Sequence, residues 1–400
     1  MSSRLPSSEF AARLDAIRGS LADTDADAAI WFDAVNIEYL SGFNHVQTER
    51  PVALVVTDDR VELVVPRLEY ERASEIPRVD RIRSYFDYPS GDPMGTVVET
   101  LRELEVGRVA ADMDGAPGTM GYHGAELSAS LEVVEQSWAD RMRWEKTDAE
   151  VTCIRESIRW ANLGHQYLVD FTEVGAHPIT VSQRASMEAS RAMLDTLGDR
   201  YAVRTRGSGP VRAGYISGAQ TARPHGFTPN EHLAEGDVII TGATANVDGY
   251  HSELERTMFL GDPSDEDEYY FELMCEAQEI AIDALGPDVP IDYVDHMVWE
   301  YFEEQGVSNL AQHHVGHNIG LGAHEPPYID RGWADHCADP VTDHTESDAD
   351  VGVGQVYTIE PGLYTETAGY RHSDTVLVTE SGTETLTYFP RDIESNTIRV

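Results

Sequence analysis

Residues 314–327 read HVGHNIGLGAHEPP, and in this stretch two histidines, His317 and His324, stand seven positions apart with glycines between them. Glycine lets a backbone turn tightly, so a strand or loop of this composition can present both imidazoles to one pocket. A single histidine near a glycine is more often an ordinary surface or core residue. The pair therefore predicts that this stretch contributes to a functional site.

Three other segments place His or Glu beside Gly or Pro near the end of an expected strand: RPHG at 223–226, DGYHSELERT at 248–257 and IEPG at 359–362. The first contains His225 and the last Glu360. The middle one contains Glu253 and Glu255, which share a face if the segment is extended. Taken alone, each segment has a simpler interpretation, such as a solvated acidic edge or an exposed turn. Because one chain carries all four, we expect them to form one polar site.

Helical and extended patterns divide the chain into two parts. Up to residue 140 short helices and strands alternate, which is typical of an α/β domain. A capping box at 147–150 (TDAE) then begins a long helix, and the expected helices beyond the boundary are 150–174, 180–197, 265–285 and 291–305. We therefore predict an α/β domain at 1–142 and an α+β domain at 143–400, with the polar segments in the second domain.

The charge of the chain is far from balanced. Its 400 residues include 71 Asp and Glu against 29 Lys and Arg, a formal net charge of −42. Such a polyanion repels nucleic acid and anionic lipid, so we expect a small-molecule substrate and no nucleic-acid or membrane partner. The acids are spread along the chain, and Lys146 is the only lysine. This pattern indicates a protein from a host that accumulates multimolar salt, where screening removes the self-repulsion.

Cysteine usage and the N-terminus restrict the setting of the protein. The three cysteines are far apart and form no CxxC motif, so they predict neither a disulfide framework nor a thiolate metal site. Residues 1–10 show no signal-peptide pattern, and no run of about 18 apolar residues exists. We therefore expect a cytoplasmic protein.

The order of the motifs resembles the pita-bread superfamily, which includes prolidase, aminopeptidase P, methionine aminopeptidase and creatinase, over nearly the whole chain. Residues 36–43 (NIEYLSGF) resemble its N-terminal turn, and residues 145–147 (EKT) resemble the start of its catalytic domain. Residues 316–320 with 324–326 resemble its double-histidine signature. The resemblance implies an α/β creatinase-type N-terminal domain followed by an α+β pita-bread catalytic domain.

The peptidase branch of this superfamily binds two divalent metals through two Asp, one His and two Glu, and this chain matches that set poorly. The five positions fall on Gly242, Glu253, His317, Glu360 and Ser373. Only three of these are ligand types, and three side chains would hold two Mn²⁺ or Zn²⁺ ions weakly. Three further residues could serve in a shifted site: His251, His372 and Asp374. The sequence counts against a dinuclear centre.

Several segments resemble creatinase, the metal-free branch, more closely: LERTMF at 254–259, ERPVALVVT at 49–57, YFP at 388–390 and NTIR at 396–399. This resemblance implies His225 as the proton-shuttling base and His324 as a supporting acid or orienting group. It implies Glu255 and Glu360 as carboxylates that grip a guanidinium-like cation. Such a substrate carries its own electrophilic carbon, so no metal is needed to polarise it.

The same resemblance implies a homodimer. Arg50, supplied by the partner subunit, and Arg331 would clamp the carboxylate of the substrate, with Glu253 and His317 also in the substrate site. Two positions depart from creatinase, which has a histidine where this chain has Ser373 and an aromatic residue where it has Thr48. Creatine itself is therefore doubtful as the substrate.

Three functions stay open at this point. The first is a hydrolase of a C–N bond in a small guanidino, amidino or amide compound, with no metal or other cofactor. The second is an Xaa-Pro dipeptidase or aminopeptidase with an unusual Mn, Co or Zn site. The third is a non-catalytic binding protein on the same fold. Metal analysis separates the first two.

Overall fold

The structure, a computed structural model, describes residues 5–202, 204, 208–339 and 344–400. The chain forms two units, one of residues 6–143 and one of residues 144–400 with Leu5. The fold class is the predicted one, an α/β unit followed by an α+β unit. No helix in the described ranges has the length and apolar composition needed to cross a membrane.

A six-stranded mixed sheet forms the centre of residues 6–143. Its strands are β1 (Ala28–Trp31), β2 (Ala53–Val56), β3 (Val61–Pro66), β4 (Arg81–Tyr85), β5 (Arg108–Ala111) and β6 (Glu132–Glu135). They lie in the order β4-β3-β2-β1-β5-β6. β1 and β2 read AAIW and ALVV and are buried throughout, because a strand covered on both faces needs a continuous apolar run.

The helices of this unit are α1 (Ser7–Ala22), α2 (Ala34–Ser41), α3 (Tyr70–Ala73), α4 (Pro93–Glu103) and α5, which begins at Trp138 and ends at Trp144. Asp33 caps α2 by accepting the N–H groups of Val35 and Asn36, and Gly42, at φ +80°, ends it. The NIEYLSGF segment is therefore the end of a short helix and the left-handed turn that glycine permits.

The described part of residues 144–400 contains four long helices and one short helix: α6 (Asp148–Phe171), α7 (Pro178–Leu197), α8 (Asp265–Ala284), α9 (Ile291–Glu304) and α10 (Trp333–Ala338). The four long ones lie within three residues of the helices that periodicity predicts. The capping box forms as expected, with Thr147 and Glu150 each bonded to the backbone N–H of the other. The buried face of α6 includes Ile154, Ile158 and Ala161.

The strands of this unit are β7 (Val211–Ser217), β8 (Val238–Val247), β9 (Tyr250–His251), β10 (Thr257–Leu260), β11 (Gly316–Asn318), β12 (Glu325–Ile329), β13 (Val356–Ile359), β14 (Gly362–Tyr364), β15 (Gly369–Arg371), β16 (Asp374–Thr379), β17 (Gly382–Thr385) and β18 (Thr397–Ile398). One sheet has the order β18-β10-β8-β7, with β9 on β8. A second has the order β12-β11-β13-β16-β17, and β14 pairs with β15. The polar segments lie where these sheets meet.

Candidate metal centre and active site

Glu253 and Glu255 lie in an extended segment that connects the two sheets. Leu254, between them, forms a backbone bridge with Ala243 of β8, and Glu255 forms one with Ser373. Leu254 is fully buried, so the alternation of an extended chain turns both glutamates to the other face. There the two carboxylates line one cleft.

His317 is the central residue of β11 and is fully buried. Its Nδ1 lies 3.0 Å from the carbonyl oxygen of Asn318, a contact in which Nδ1 donates its proton, so Nε2 is the ring nitrogen that could bind a cation in exchange for a proton. Nε2 lies 3.2 Å from Oε1 of Glu360 without the geometry of a hydrogen bond. A buried imidazole whose Nδ1–H is held by a carbonyl is the arrangement of a metal-binding histidine.

Close strand packing holds His317 in this position. A Cβ on Gly316 would lie 1.9 Å from the carbonyl oxygen of Thr358 on β13, so only glycine fits there. Glu360 follows the end of β13, and its backbone N–H donates to the carbonyl of Val315. Strand pairing therefore brings His317 and Glu360 side by side.

His324 is exposed, and its ring lies on that of His317 with centroids 3.8 Å apart and an angle of 20° between the planes. Glu253, His317 and His324 each offer one ligand atom, and these three atoms lie within 4.8 Å of one another. In the part of the chain that the structure describes, this is the one such group of three or more His, Cys, Asp or Glu side chains.

A buried ion pair supports the loop that carries His324. Nζ of Lys146 lies 3.1 Å from Oε1 of Glu325 and also donates to the side chain of Asn318 and to the carbonyl of Trp144. Lys146 therefore connects β11 to the start of β12. The sequence shows Lys146 as the sole lysine and as part of the EKT segment, but it does not predict the ion pair; a single lysine among arginines was the available signal.

Arg371 is the second residue that sequence analysis did not assign. Its Nε lies 2.5 Å from Oε2 of Glu255 and its Nη2 lies 3.0 Å from Oε1, a two-pronged pair. Nη1 donates to the hydroxyl of Tyr364 and the carbonyl of Pro224. Glu255 was expected to bind a guanidinium group of the substrate. This geometry does not fit that role, because the guanidinium of Arg371 already forms an ion pair with both oxygens of the carboxylate.

The electrostatics of the cluster indicate a deficit of positive charge. Burial, followed by the negative charges of Glu360 and Glu255, raises the pKa of Glu253 to about 8. Burial also raises the pKa of Glu360, but His317 and Arg371 outweigh it and lower that pKa to about 2. Burial lowers the pKa of His317, yet the carboxylates of Glu360 and Glu253 raise it to about 9. A cation bound here would relieve the repulsion between the carboxylates.

The remaining predicted residues have different surroundings. His225 is exposed and lies near His324, whose pKa is lowered by burial, by His317 and to a smaller degree by His225. The guanidinium of Arg331 lies 3.9 Å from the centre of the Trp299 ring, and among the described residues it forms no ion pair with the site carboxylates. Arg50 belongs to the other unit.

In that unit Arg50 forms ion pairs with two acids. Its Nη1 lies 2.5 Å from a carboxylate oxygen of Glu49, and its Nε lies 3.0 Å from one of Asp87. The expected role of Arg50, binding the carboxylate of the substrate, therefore stays a prediction. In the structure its guanidinium is already paired with two carboxylates of the chain.

The ligand types fit one divalent ion. One carboxylate oxygen and two imidazole nitrogens suit Zn²⁺, Mn²⁺ or Co²⁺, and Nε2 of His317 is buried with no hydrogen-bond partner in the part of the chain that the structure describes. The two-metal set of the peptidase branch does not fit, since Gly242 has no side chain and Ser373 donates its hydroxyl to Glu253. His251, His372 and Asp374 do not restore it, since among the described residues none of them belongs to a group of three or more ligand side chains.

An α/β unit followed by an α+β unit, with a carboxylate–imidazole cluster at the junction of two sheets, defines a hydrolase of the pita-bread superfamily. The chain belongs to metallopeptidase family M24, whose model matches residues 152–380. A model of the Creatinase/Prolidase N-terminal domain matches residues 13–143. The predicted superfamily and the predicted hydrolysis of C–N bonds are thereby confirmed.

Similar proteins match the chain along almost its whole length. An Xaa-Pro dipeptidase of Pyrococcus furiosus is 26% identical over 389 residues, which are 95% of this chain and 99% of that protein. A solved structure of dipeptidase PepE from Mycobacterium ulcerans has a TM-score of 0.80 at 24% identity, covering 99% and 100% of the two chains. An Xaa-Pro dipeptidase from Bacillus anthracis has a TM-score of 0.76 at 21% identity, covering 96% and 99%.

The expectation that the protein needs no metal or cofactor was wrong. The family is one of metallopeptidases, and the structure groups three ligand side chains within 4.8 Å of one another. The expectation rested on the absence of ligand side chains at Gly242 and Ser373 and on the resemblance to creatinase, which implies Glu255 as a substrate ligand. In the structure that carboxylate neutralises Arg371.

Proposed function

We propose that the protein is a metal-dependent peptidase of the Xaa-Pro dipeptidase or aminopeptidase type, with an atypical metal site. The observation that carries this proposal is the convergence of Glu253, His317 and His324 within 4.8 Å. The names of the similar proteins support the substrate class, and the metal cluster favours the peptidase over the creatinase-like alternative.

The space beside the cluster suits a peptide. A cleft of about 1330 Å³ extends from Glu253 and Glu255 along β7 and β8 to α7. Its floor includes Gly214 and Gly242, which are directly paired in the sheet. Because neither residue has a side chain, the backbone of a substrate can approach the strands closely.

The roles of the residues follow from their positions. A divalent ion held by Glu253, His317 and His324 would supply Lewis acidity that polarises the substrate carbonyl. The carbonyl of Asn318 keeps the imidazole of His317 oriented, and Glu360, whose Oε1 lies 3.2 Å from Nε2, adds negative charge that would favour a bound cation. His225, exposed near His324, can deliver a proton to the departing nitrogen.

Metal-free protein tests the proposal. The chain is purified at molar KCl and dialysed against EDTA, and hydrolysis of Xaa-Pro dipeptides is measured before and after addition of Mn²⁺ or Co²⁺. We expect dipeptide hydrolysis to vanish on chelation and to return with the metal. Creatine, tested in parallel, should not be hydrolysed. Undiminished hydrolysis after complete removal of metal, or cleavage of creatine in place of the dipeptides, would contradict the proposal.

A further inference from the structure

We propose that the site binds one divalent ion and that the guanidinium of Arg371 supplies, as a fixed part of the chain, the positive charge that a second ion would otherwise bring. This inference deepens the proposed function and rests on it for the role of the metal. It concerns how many ions the residues hold and which residue replaces the missing one.

The first argument is the supply of ligands. Glu253, His317 and His324 suffice for one ion whose remaining positions are open to water and substrate. The side of the site toward Glu255 offers no comparable set. Gly242 contributes no side chain, and the hydroxyl of Ser373 donates a hydrogen bond to Oε1 of Glu253 at 2.7 Å, so it acts as a support of a ligand.

The second argument is the position of Arg371. Its guanidinium forms the two-pronged pair with Glu255, and its Nε lies 4.0 Å from Oε2 of Glu360. The hydroxyl of Tyr364 and the carbonyl of Pro224 use a third nitrogen, so the side chain is fixed. An arginine stays protonated under all relevant conditions. Two of the three site carboxylates therefore have a permanent cationic partner.

The third argument is the balance of charge. Glu253, Glu255 and Glu360 are largely withdrawn from solvent and carry three negative charges when ionised. Arg371 and one divalent ion neutralise them. A second divalent ion would leave two uncompensated positive charges in a poorly solvated site, at a cost that no additional ligand offsets.

Metal stoichiometry measures the inference directly. Metal-free protein at molar KCl is titrated with Mn²⁺ or Zn²⁺ alone in a calorimeter, and the bound metal is determined by elemental analysis after dialysis. We expect one ion per chain, and an affinity reduced by at least about tenfold in His324→Ala, since loss of a ligand costs no less than the roughly 10–100-fold that follows loss of a residue orienting one. His232→Ala, which removes an exposed histidine outside the cluster, is the matched control and should leave both values unchanged.

Variants of Arg371 test the replacement of charge. Arg371→Gln, which frees Glu255 and Glu360, should take up more than one ion per chain at millimolar metal, whereas Arg371→Lys, which keeps the charge, should remain at one. Two ions of similar affinity in the wild-type chain, or equal behaviour of the two variants, would overturn the inference. If Arg371→Gln does not fold by circular dichroism, the wild-type stoichiometry still decides.

The number of bound ions and the hydrolysis of dipeptides test the single-ion site and the proposed function separately. One bound ion without hydrolysis of Xaa-Pro dipeptides would remove the proposed function and keep the single-ion site. Hydrolysis with two bound ions would do the reverse. A chain that binds no divalent metal would contradict both.

Discussion

Glu253 and Glu255 are the same residue type two positions apart, yet the structure gives them different tasks. Glu253 lies near two imidazoles and accepts a hydrogen bond from the hydroxyl of Ser373, whereas the charge of Glu255 is neutralised by Arg371. The difference comes from which side chain the neighbouring strand presents to each carboxylate. Spacing alone cannot reveal it.

These two glutamates allow a paired substitution. Glu253→Gln should lose metal affinity with little loss of stability, because it removes a ligand and relieves the repulsion between buried carboxylates. Glu255→Gln should instead lower the free energy of unfolding by about 3–5 kcal/mol, since it removes the two-pronged ion pair of the buried Arg371 guanidinium and leaves only Glu360, 4.0 Å away. Calorimetric metal titration and guanidinium unfolding at fixed salt separate the two effects. Equal losses of metal affinity in both variants would contradict the assignment.

A second residue-scale prediction concerns Asp112 of the N-terminal unit. Its carboxylate accepts the backbone N–H groups of Phe32 and Asp33. Burial raises its pKa from 3.8 to about 7, and the nearby charges of Asp33 and Asp140 add to the increase. The folded state therefore binds a proton that the unfolded state releases above about pH 4.

The sign follows from linkage. Because the folded pKa is the higher one, Asp112 contributes stability at pH 4 that is lost as the pH rises toward 7. Asp112→Asn, which stays neutral, should flatten the pH dependence of unfolding between about pH 4 and 7. Urea unfolding at constant KCl concentration checks this, and an identical pH profile in wild type and variant would show that the aspartate does not titrate in that range.

At the scale of elements, the loop between β11 and β12 brings the second histidine to the first. Glu325 begins β12, and Nζ of Lys146 reaches both that carboxylate and Asn318 of β11. A Cβ at Gly320 would lie 2.5 Å from Oε1 of Glu325, so the loop passes close over the ion pair. The position of His324 thus depends on a contact made before α6 begins.

Substitution of Lys146 tests this dependence. Lys146→Met leaves the carboxylate of Glu325 buried without its cation, so we expect the free energy of unfolding to fall by about 3–5 kcal/mol. Metal affinity should fall too, because His324 loses its support. The surface variant Arg155→Met, which breaks an exposed pair with Glu384, is the control and should cost at most about 1 kcal/mol. A loss of stability in Lys146→Met with unchanged metal affinity would limit the ion pair to a structural role.

For the whole molecule, the net charge of −42 leads to a prediction about salt. At low ionic strength the acidic surface is unscreened, and the Debye length grows past the roughly 3 Å that it has at 1 M salt. We expect circular dichroism to show loss of structure as KCl falls well below about 1 M. An unfolding midpoint that is the same in molar and millimolar KCl would remove the proposed adaptation to high salt.

The assembly of the molecule is a further proposal, since the resemblance to creatinase implies a homodimer with Arg50 acting in the partner's site. Sedimentation at molar KCl should give twice the chain mass of 44.3 kDa. If the role of Arg50 is correct, Arg50→Gln and His317→Ala should each be inactive alone and recover part of the activity when mixed. A fully active monomer, or mixed subunits without recovery, would contradict it.

The sequence alone determined the superfamily, the fold class and the residue types of the site, because motifs and hydrophobic periodicity are properties of neighbouring residues. Only the tertiary structure decided which of these residues act on each other. Glu255 meets Arg371 across 116 positions, Glu253 meets Ser373 across 120, and Lys146 meets Asn318 across 172. Such contacts depend on how two sheets join, and this is why the sequence identified the carboxylates but assigned Glu255 to a substrate cation and kept the metal only for the alternative function.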